Sequence, residues 1–322
     1  MNTTTGLLLS KQVHEQTLDH DDTLDPMTDP TTVSTRTPTN GYDSAAARRS
    51  LAPVRKMINS QRFMANITKF LLGLLSITLF VGFWYLATKY RWDFYIRFTS
   101  IPTPGDVFTE ALILSHQEDF YKNMALSLWR IILGFGIATV LGVLFGLIIG
   151  RYRLVHSLLF PILEILRPIP AIAWVPISIM LWPTNESSIV FITFLGSFFP
   201  ILVNTIEGVS NQDKILISAA RSLGAGEFAL MREVILPGAL PSIFTGLAIG
   251  MGVAWVSLIA AEMISGEYGI GYFTWEAYSL IQYNDIVIGM IVIGILGLAC
   301  SGIIRLMGRI LMPWHSTYNG RN

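Results

Sequence analysis

The chain has 322 residues, of which 52% are hydrophobic and 14% are charged, and its mean hydropathy is +0.53. Soluble domains carry about 25% charged residues, so this composition indicates an integral membrane protein. The formal net charge is zero, which removes any case for a nucleic-acid partner. The single cysteine, Cys300, lies in an apolar run and excludes an internal disulfide.

The beginning of the chain differs from the rest in composition, because it is polar and acidic. Residues 1–47 hold seven acidic residues, two basic residues and almost no aromatic ones. Such a segment cannot bury enough apolar surface to fold. We therefore predict a disordered cytoplasmic tail over residues 1–60.

Six apolar stretches follow that can cross a hydrocarbon core, which takes about 20 residues of helix. They are Phe70–Thr88, Ile131–Gly150, Leu158–Trp182, Ile189–Ile206, Ala239–Ala261 and Asp285–Leu306. Four prolines interrupt the third stretch, so two half-spans remain an alternative to one broken span. Glycines recur every four residues on the second and fifth stretches, which predicts close helix contacts there. The predicted fold is an all-α integral membrane protein with about six transmembrane helices.

Basic residues are concentrated on one side of this arrangement. They occur before the first span, between spans two and three, between spans four and five, and after the sixth span. The positive-inside rule places that side in the cytoplasm, together with both termini and a C-terminal tail over residues 313–322. Lys89, Arg91 and Arg97 fall on the opposite side and are the exception.

The spans contain almost no ionisable residues at mid-depth. Glu164 and Arg167, three residues apart, are expected to pair near the cytoplasmic surface. An ion-coupled secondary transporter, the alternative function, would require an acidic residue near the midplane. The sequence contains no phosphate-binding loop, no metal-ligand spacing and no catalytic motif. We therefore expect no catalytic residue, no metal and no cofactor on this chain.

The loop between spans four and five is too long and too regular for a simple connector. It contains Ser218-Ala219-Ala220-Arg221-Ser222-Leu223-Gly224, nine further residues, and then Val234-Ile235-Leu236-Pro237. Ala220 and Gly224 would share one helical face with little side-chain bulk, which a partner protein could approach. Gly224 and Gly226 permit a sharp turn, and Glu227–Ile235 would form a second short helix that Pro237 ends.

This hairpin resembles the cytoplasmic motif of binding-protein-dependent ABC importer permeases, E-A-A-x-x-x-G followed by nine residues and I-x-L-P. Ser218 stands where the family usually has Glu. The resemblance covers about residues 68–312, the expected permease domain, and is specific for the nitrate, sulfonate, taurine and bicarbonate group. Its other motifs are Ile101–Pro104, Ser127–Arg130 with Gly134-Phe135, Leu166–Pro170, Ala173–Ile177, Ala261–Met263 and Gly269–Tyr272. The runs at Ala173–Ile177 and Gly269–Glu276 are most similar to nitrate and bicarbonate permeases.

The resemblance implies a permease subunit of an ATP-binding cassette importer in a bacterial inner membrane. It implies a homodimer, ATPase subunits that use the ATP, and a periplasmic or lipid-anchored solute-binding protein. The solute would be a small anion such as nitrate, bicarbonate or a sulfonate. The sequence leaves open which solute it is, whether two different permeases pair, and what the acidic tail does.

Two sets of site residues follow from this reading. The ATPase-coupling residues would be Ser218, Ala219, Ala220, Arg221, Gly224, Leu236 and Pro237. Polar and aromatic residues within the spans are candidates for the substrate pathway: Trp174, Ser178, Thr193, Ser197, Asn204, Thr205, Trp255 and Ser257. For each candidate, hydrogen bonding between helices is an equally good explanation.

Overall fold

The computed structural model describes residues 44–92 and 100–313, and within them it is built from helices without any strand. The α-helices are α1 (Ser44–Lys89), α2 (Pro104–Leu114), α3 (Glu118–Arg151), α4 (Arg153–Leu166), α5 (Val175–Leu181), α6 (Asn185–Ser210), α7 (Lys214–Ser222), α8 (Glu227–Leu230), α9 (Leu236–Ser265), α10 (Ile270–Ser279) and α11 (Tyr283–Leu311). A 3₁₀ turn, Ala171–Trp174, precedes α5, and a π-helical segment, Met231–Ile235, precedes α9. The all-α prediction is confirmed.

The chain divides into two units, residues 1–71 and residues 72–322. In the first unit, the described residues 44–71 form the beginning of α1. Residues 1–43 of the predicted tail and residues 314–322 of the predicted C-terminal tail lie outside the described residues. Residues 44–60 belong to helix α1, and the disorder of the tail over residues 1–60 stays a prediction. Their Ala45-Ala46-Ala47 run and neighbouring basic residues are good helix formers, so the helix starts well before the apolar stretch.

Each predicted span other than the third lies inside one long helix. Five helical segments of the described chain are long and apolar enough to cross a membrane, namely Ile67–Lys89, Glu118–Arg151, Asn185–Ser210, Glu227–Ser265 and Tyr283–Leu311. The third prediction corresponds to α4 and α5 with the 3₁₀ turn, a pair bent by 85°. Pro168 and Pro170 lie at the bend, where they cannot supply the backbone N–H groups that would continue α4.

Helix directions show how often the bent pair crosses the bundle. A Cβ atom added to Gly134 would lie 2.8 Å from Cβ of Thr193, and one added to Gly150 would lie 2.8 Å from Cβ of Val209. Helices α3 and α6 are therefore parallel, and the chain between them must return once to the end where α3 began. The bent pair is thus one broken span, which brings the candidate membrane spans of the described residues to six.

The glycine repeats form the helix contacts that their spacing predicts. On α3, Gly142 packs on Ile201 of α6, with an added Cβ atom 2.9 Å from Ile201 Cγ2. On α9, an added Cβ atom at Gly250 would lie 3.1 Å from the carbonyl oxygen of Ser197. Helices α3, α6 and α9 therefore form a closely packed centre, as small residues permit in lipid.

Two ends of this bundle position the candidate sites. The end where α3 begins and α9 finishes, which holds Arg130 and Glu262, is called the Arg130 end. The opposite end, where α3 finishes and α7 and α8 lie, is called the Arg151 end. Helix α11 keeps many large apolar side chains exposed, as does α1 after Leu71, which suits contact with lipid.

Candidate functional site

The turn between α7 and α8 at the Arg151 end depends on Gly224. Its φ is +84°, a left-handed conformation that costs other residues energy. The N–H of Ala225 donates to the carbonyl of Ala220 (3.1 Å), and the N–H of Gly224 donates to that of Arg221 (2.9 Å). This pair of bonds closes α7 in a Schellman motif. Gly226 has φ −70°, so its backbone does not require glycine.

The second arm of the hairpin differs from the prediction. A helix does begin at Glu227, but it runs through the π-helical segment into α9 as one 39-residue stretch, Glu227–Ser265. Pro237 does not end it, because the helix continues from the π-helical segment through this residue into α9. The second arm is therefore continuous with the membrane span of α9.

The structure shows which face of the hairpin is free. Ala220 is half-buried and packs against the apolar core of the bundle. Ser218, Ala219 and Arg221 are exposed, whereas Leu236 and Pro237 are half-buried. Four large apolar side chains, here called the hairpin apolar surface, also point away from the bundle: Ile215 (76% exposed), Leu216 (58%), Leu223 (90%) and Phe228 (79%). The sequence reasoning missed this surface, although an apolar Ile215-Leu216 pair in a polar loop was the available signal.

Two ion pairs of Glu227 hold the hairpin, one to α3 and one between its own arms. Glu227 Oε2 lies 2.6 Å from Arg151 Nη2, and Glu227 Oε1 lies 2.6 Å from Arg221 Nη2. Arg151 is the last residue of α3, and Arg221 belongs to α7. One exposed carboxylate thus joins the two arms of the hairpin to each other and to the end of a central span.

A second arginine cluster lies at the Arg130 end and is buried. Arg130 and Glu262 are 1% and 0% exposed, and Arg130 Nη1 lies 2.8 Å from Glu262 Oε1. Arg130 Nε also donates to Glu186 Oε2 (2.8 Å), and Ser127 Oγ donates to Glu262 Oε1 (2.8 Å). The cluster joins α3, α6 and α9. The sequence motifs contain Ser127, Arg130 and Glu262 but not Glu186, and the pairing of these residues follows only from which helices are neighbours.

The same cluster holds the start of α10. The N–H of Gly271 donates to Glu262 Oε2, and the N–H of Ile270 donates to Ser127 Oγ, both at 2.9 Å. Gly269 has φ +122°, and a Cβ atom there would lie 2.5 Å from the Glu262 carboxylate. The Gly-Ile-Gly sequence therefore lets the backbone approach a buried carboxylate.

A cavity of about 300 Å³ lies beside the break between α4 and α5, at mid-depth in the bundle. Trp174 and Asn204, two of the predicted pathway residues, line it together with Arg167. The expected pair of Glu164 and Arg167 is wrong, because no carboxylate of the described chain lies within salt-bridge distance of Arg167. Helix α4 ends at Leu166, so Arg167 is at its C-cap and faces the bend.

The other six pathway candidates are buried away from this cavity: Ser178, Thr193, Ser197, Thr205, Trp255 and Ser257. The hydroxyls of Thr193, Ser197 and Thr205 donate to carbonyls one turn earlier in α6, at 2.7 to 2.8 Å. Ser178 Oγ lies 2.6 Å from Ser188 Oγ, which joins α5 to α6. Thr193, Thr205 and Ser257 each fill the space above a glycine of a neighbouring helix. Their role in a pathway remains a prediction.

Comparison with known proteins identifies the class of this chain. Residues 138–316 match the family model described as "Binding-protein-dependent transport system inner membrane component". The bicarbonate transport system permease protein CmpB of Synechococcus elongatus is 36% identical over 66% of this chain and 81% of its own length. The nitrate import permease protein NrtB of Synechocystis sp. is 35% identical over 58% and 68%. The putative aliphatic sulfonates transport permease protein SsuC of Escherichia coli is 35% identical over 74% and 90%.

The chain therefore belongs to the family of binding-protein-dependent transport system inner membrane components and is a permease subunit of an ABC importer. It is a multi-pass membrane protein and a transport component rather than an enzyme. Membership of this family implies an ATPase and a solute-binding protein as partners. Among residues 44–92 and 100–313, no three His, Cys, Asp or Glu side chains are grouped to hold a metal ion.

Proposed function

We propose that the Arg151 end faces the bacterial cytoplasm and receives an ATPase subunit that hydrolyses ATP. The basic residues of the Arg151 end support this orientation through the positive-inside rule. The permease domain then covers residues 68–312, with both termini cytoplasmic. The solute-binding protein, periplasmic or lipid-anchored, delivers its solute at the Arg130 end to a homodimer of this chain.

The observation that carries the coupling proposal is the hairpin apolar surface. Large side chains that are 58–90% exposed at the water-facing end of a membrane protein mark a contact surface for a partner. The second arm is continuous with α9, so closure of the ATPase on ATP binding moves this span as a rigid body. Ser218, Ala219 and Arg221 border this surface, and Gly224 fixes its turn.

The proposed solute is a small anion. The names of three relatives specify bicarbonate, nitrate and aliphatic sulfonates, which are all anions with several oxygen atoms. The two motif regions most similar to nitrate and bicarbonate permeases are Ala173–Ile177, beside the mid-depth cavity, and Gly269–Glu276, at the Arg130 end.

Reconstitution tests this function. The chain is placed in proteoliposomes with its ATPase and binding protein, and ATP-driven uptake of nitrate, bicarbonate and ethanesulfonate is measured. We expect uptake of at least one anion that stops without ATP or without the ATPase. Anion uptake by the permease alone, driven by an ion gradient, would instead establish the secondary transporter. ATP-driven uptake of neutral solutes only would contradict the anion proposal.

A pair of leucine variants tests the coupling surface. Leu223→Asp places a charge on the hairpin apolar surface at a residue that is 90% exposed, so the fold should survive while the ATPase no longer copurifies. Leu280→Asp is the matched control, since Leu280 is 61% exposed beyond α10 at the other end of the bundle. Equal ATPase recovery with both variants would contradict the assignment.

A further inference from the structure

The mid-depth cavity combines one charge with apolar walls. It lies against the middle of α6, between Leu195 and Asn204, and against Ile249 and Val253 in the middle of α9. Of the residues that line it, Arg167 alone is charged, and Asn204 adds an amide whose Nδ2 donates to the carbonyl of Pro200 (2.8 Å). Trp174 supplies an aromatic wall. This is the usual design of a small-ligand site, largely apolar with a few polar groups.

Arg167 is unusual for a residue at this depth. A guanidinium stays charged in proteins, and a charge within the membrane is costly unless it is paired or lies in a cavity that serves transport. Within the described residues, no carboxylate lies within salt-bridge distance of it. By contrast, Arg130, at the end of the same bundle, contacts two carboxylates. The positive charge of Arg167 is therefore available to a mobile anion.

We propose that this cavity is the transmembrane anion-binding site and that Arg167 is the residue that recognises a small monovalent oxyanion there. The planar fork of guanidinium N–H groups matches two oxygen atoms of nitrate, bicarbonate or a sulfonate. One unpaired arginine with no second basic residue binds an anion and also lets it leave, as transport requires. The same charge repels cations. This inference rests on the proposed import of an anion and adds the residue that selects it.

Uptake by the assembled importer is the first test. Arg167→Gln removes the charge and Arg167→Lys keeps it, while Arg153→Gln is the matched control, because Arg153 is an exposed arginine of the same helix outside the cavity. We expect Arg167→Gln to lower uptake of the transported anion by about tenfold or more, the effect of losing a hydrogen bond to a charged group. Arg167→Lys should lose less, and Arg153→Gln should match the wild type.

Thiol labelling is the second test and needs no transport. Cys300 is the single cysteine, so Cys300→Ser gives a background in which Phe199→Cys places one thiol in the cavity wall. Its reaction rates with anionic sulfonatoethyl and cationic trimethylammonioethyl methanethiosulfonate are compared. One positive charge several ångströms away should raise the anion-to-cation rate ratio by roughly tenfold in a watery cavity. Adding Arg167→Gln should remove this preference, whereas adding Arg153→Gln should keep it.

The outcomes separate this inference from the proposed function. If the wild type imports an anion and Arg167→Gln does so equally well, the binding site is overturned and the import of anions stands. If the wild type imports only neutral solutes, both fail. If Arg167→Gln does not assemble, the anion-to-cation labelling ratio is compared between the Phe199→Cys protein with Arg167 and the same protein with Arg167→Lys. An anion preference that persists with lysine supports a site defined by charge. A ratio near one with Arg167 present would overturn the site.

Discussion

Helix α3 takes part in two arginine clusters, one at the Arg130 end of the bundle and one at the Arg151 end, and the two differ in solvent exposure. At the Arg130 end, a buried arginine contacts Glu186 and the fully buried Glu262. At the Arg151 end, Arg151 and Arg221 contact Glu227, a carboxylate that is 57% exposed. The Arg130 cluster joins α3, α6, α9 and the start of α10, whereas the Arg151 cluster joins α3, α7 and α8, so both link helices but in opposite environments.

This difference indicates different mechanical roles. A buried pair cannot separate without leaving an unpaired charge in a medium of low dielectric, so the Arg130 cluster holds its helices in one arrangement. An exposed pair exchanges its partner for water at little cost, so the Arg151 cluster allows its elements to move. If the ATPase acts at the Arg151 end, as proposed, the movable connection lies where the motion enters the bundle.

The largest expected effect is at the Arg130 end. Glu262→Ala leaves the buried Arg130 with Glu186 as its one carboxylate and the carbonyl of Tyr268 as a further acceptor, and it removes the acceptor for Ser127 and Gly271. Loss of one partner of a buried pair should lower stability by about 3–5 kcal/mol. Thermal unfolding of the purified protein in detergent measures this. Glu186→Gln is the matched control with a smaller expected loss, and a Glu262→Ala protein as stable as the wild type would show that the buried cluster does not hold the helices.

The second effect concerns the glycine that lets backbone approach Glu262. Gly269→Ala introduces a Cβ atom 2.5 Å from the carboxylate and forces alanine to φ +122°. Backbone strain of this kind costs about 1–3 kcal/mol, so the same unfolding assay should show a clear loss. Gly252→Ala is the control, since nothing lies within 4 Å of that position on α9. Equal stability of the two variants would mean that the first residues of α10 can move away from the Glu262 carboxylate without loss of stability.

Sequence reasoning reached the spans but not these two clusters. Apolar runs fix a span by themselves, so α3, α6, α9 and α11 lie where hydropathy places them. The partner of Arg130 is 132 residues away, and only the packing of α3 beside α9 defines it. Spacing also indicates which residues share a face of α7 but not which face is buried, so the sequence predicts Ala220 on the partner side although it packs inward. The sequence predicts a helix end at Pro237 because it does not reveal the π segment through which the helix continues into α9.

A third prediction tests whether the hairpin at the Arg151 end needs its turn. Gly224→Ala puts alanine at φ +84° with nothing within 4 Å, so the cost of about 1 kcal/mol comes from the backbone alone. This should raise the hydrogen-exchange rate of the α7 amides and weaken ATP-coupled uptake, while the unfolding temperature hardly changes. Gly226→Ala is the control two residues away, with φ −70° and equally open space. Identical exchange in both variants would show that the turn is not needed.

The smallest effect on stability is expected from Glu227→Gln. This variant is the most direct test of the difference between the buried Arg130 cluster and the exposed Arg151 cluster. Both ion pairs of Glu227 are exposed to water, so their loss should leave the unfolding temperature within the error of measurement, unlike Glu262→Gln at the buried cluster. The connection between α3 and the hairpin would nevertheless be broken, so less solute should be imported for each ATP hydrolysed. Glu233→Gln, another exposed acid of the second arm, should change neither quantity. If Glu227→Gln destabilised the protein as much as Glu262→Gln, burial would not explain a difference in stability contribution between the Arg130 and Arg151 clusters. If it left the coupling ratio intact, the exposed cluster would be a solvated ion pair with no part in transmission.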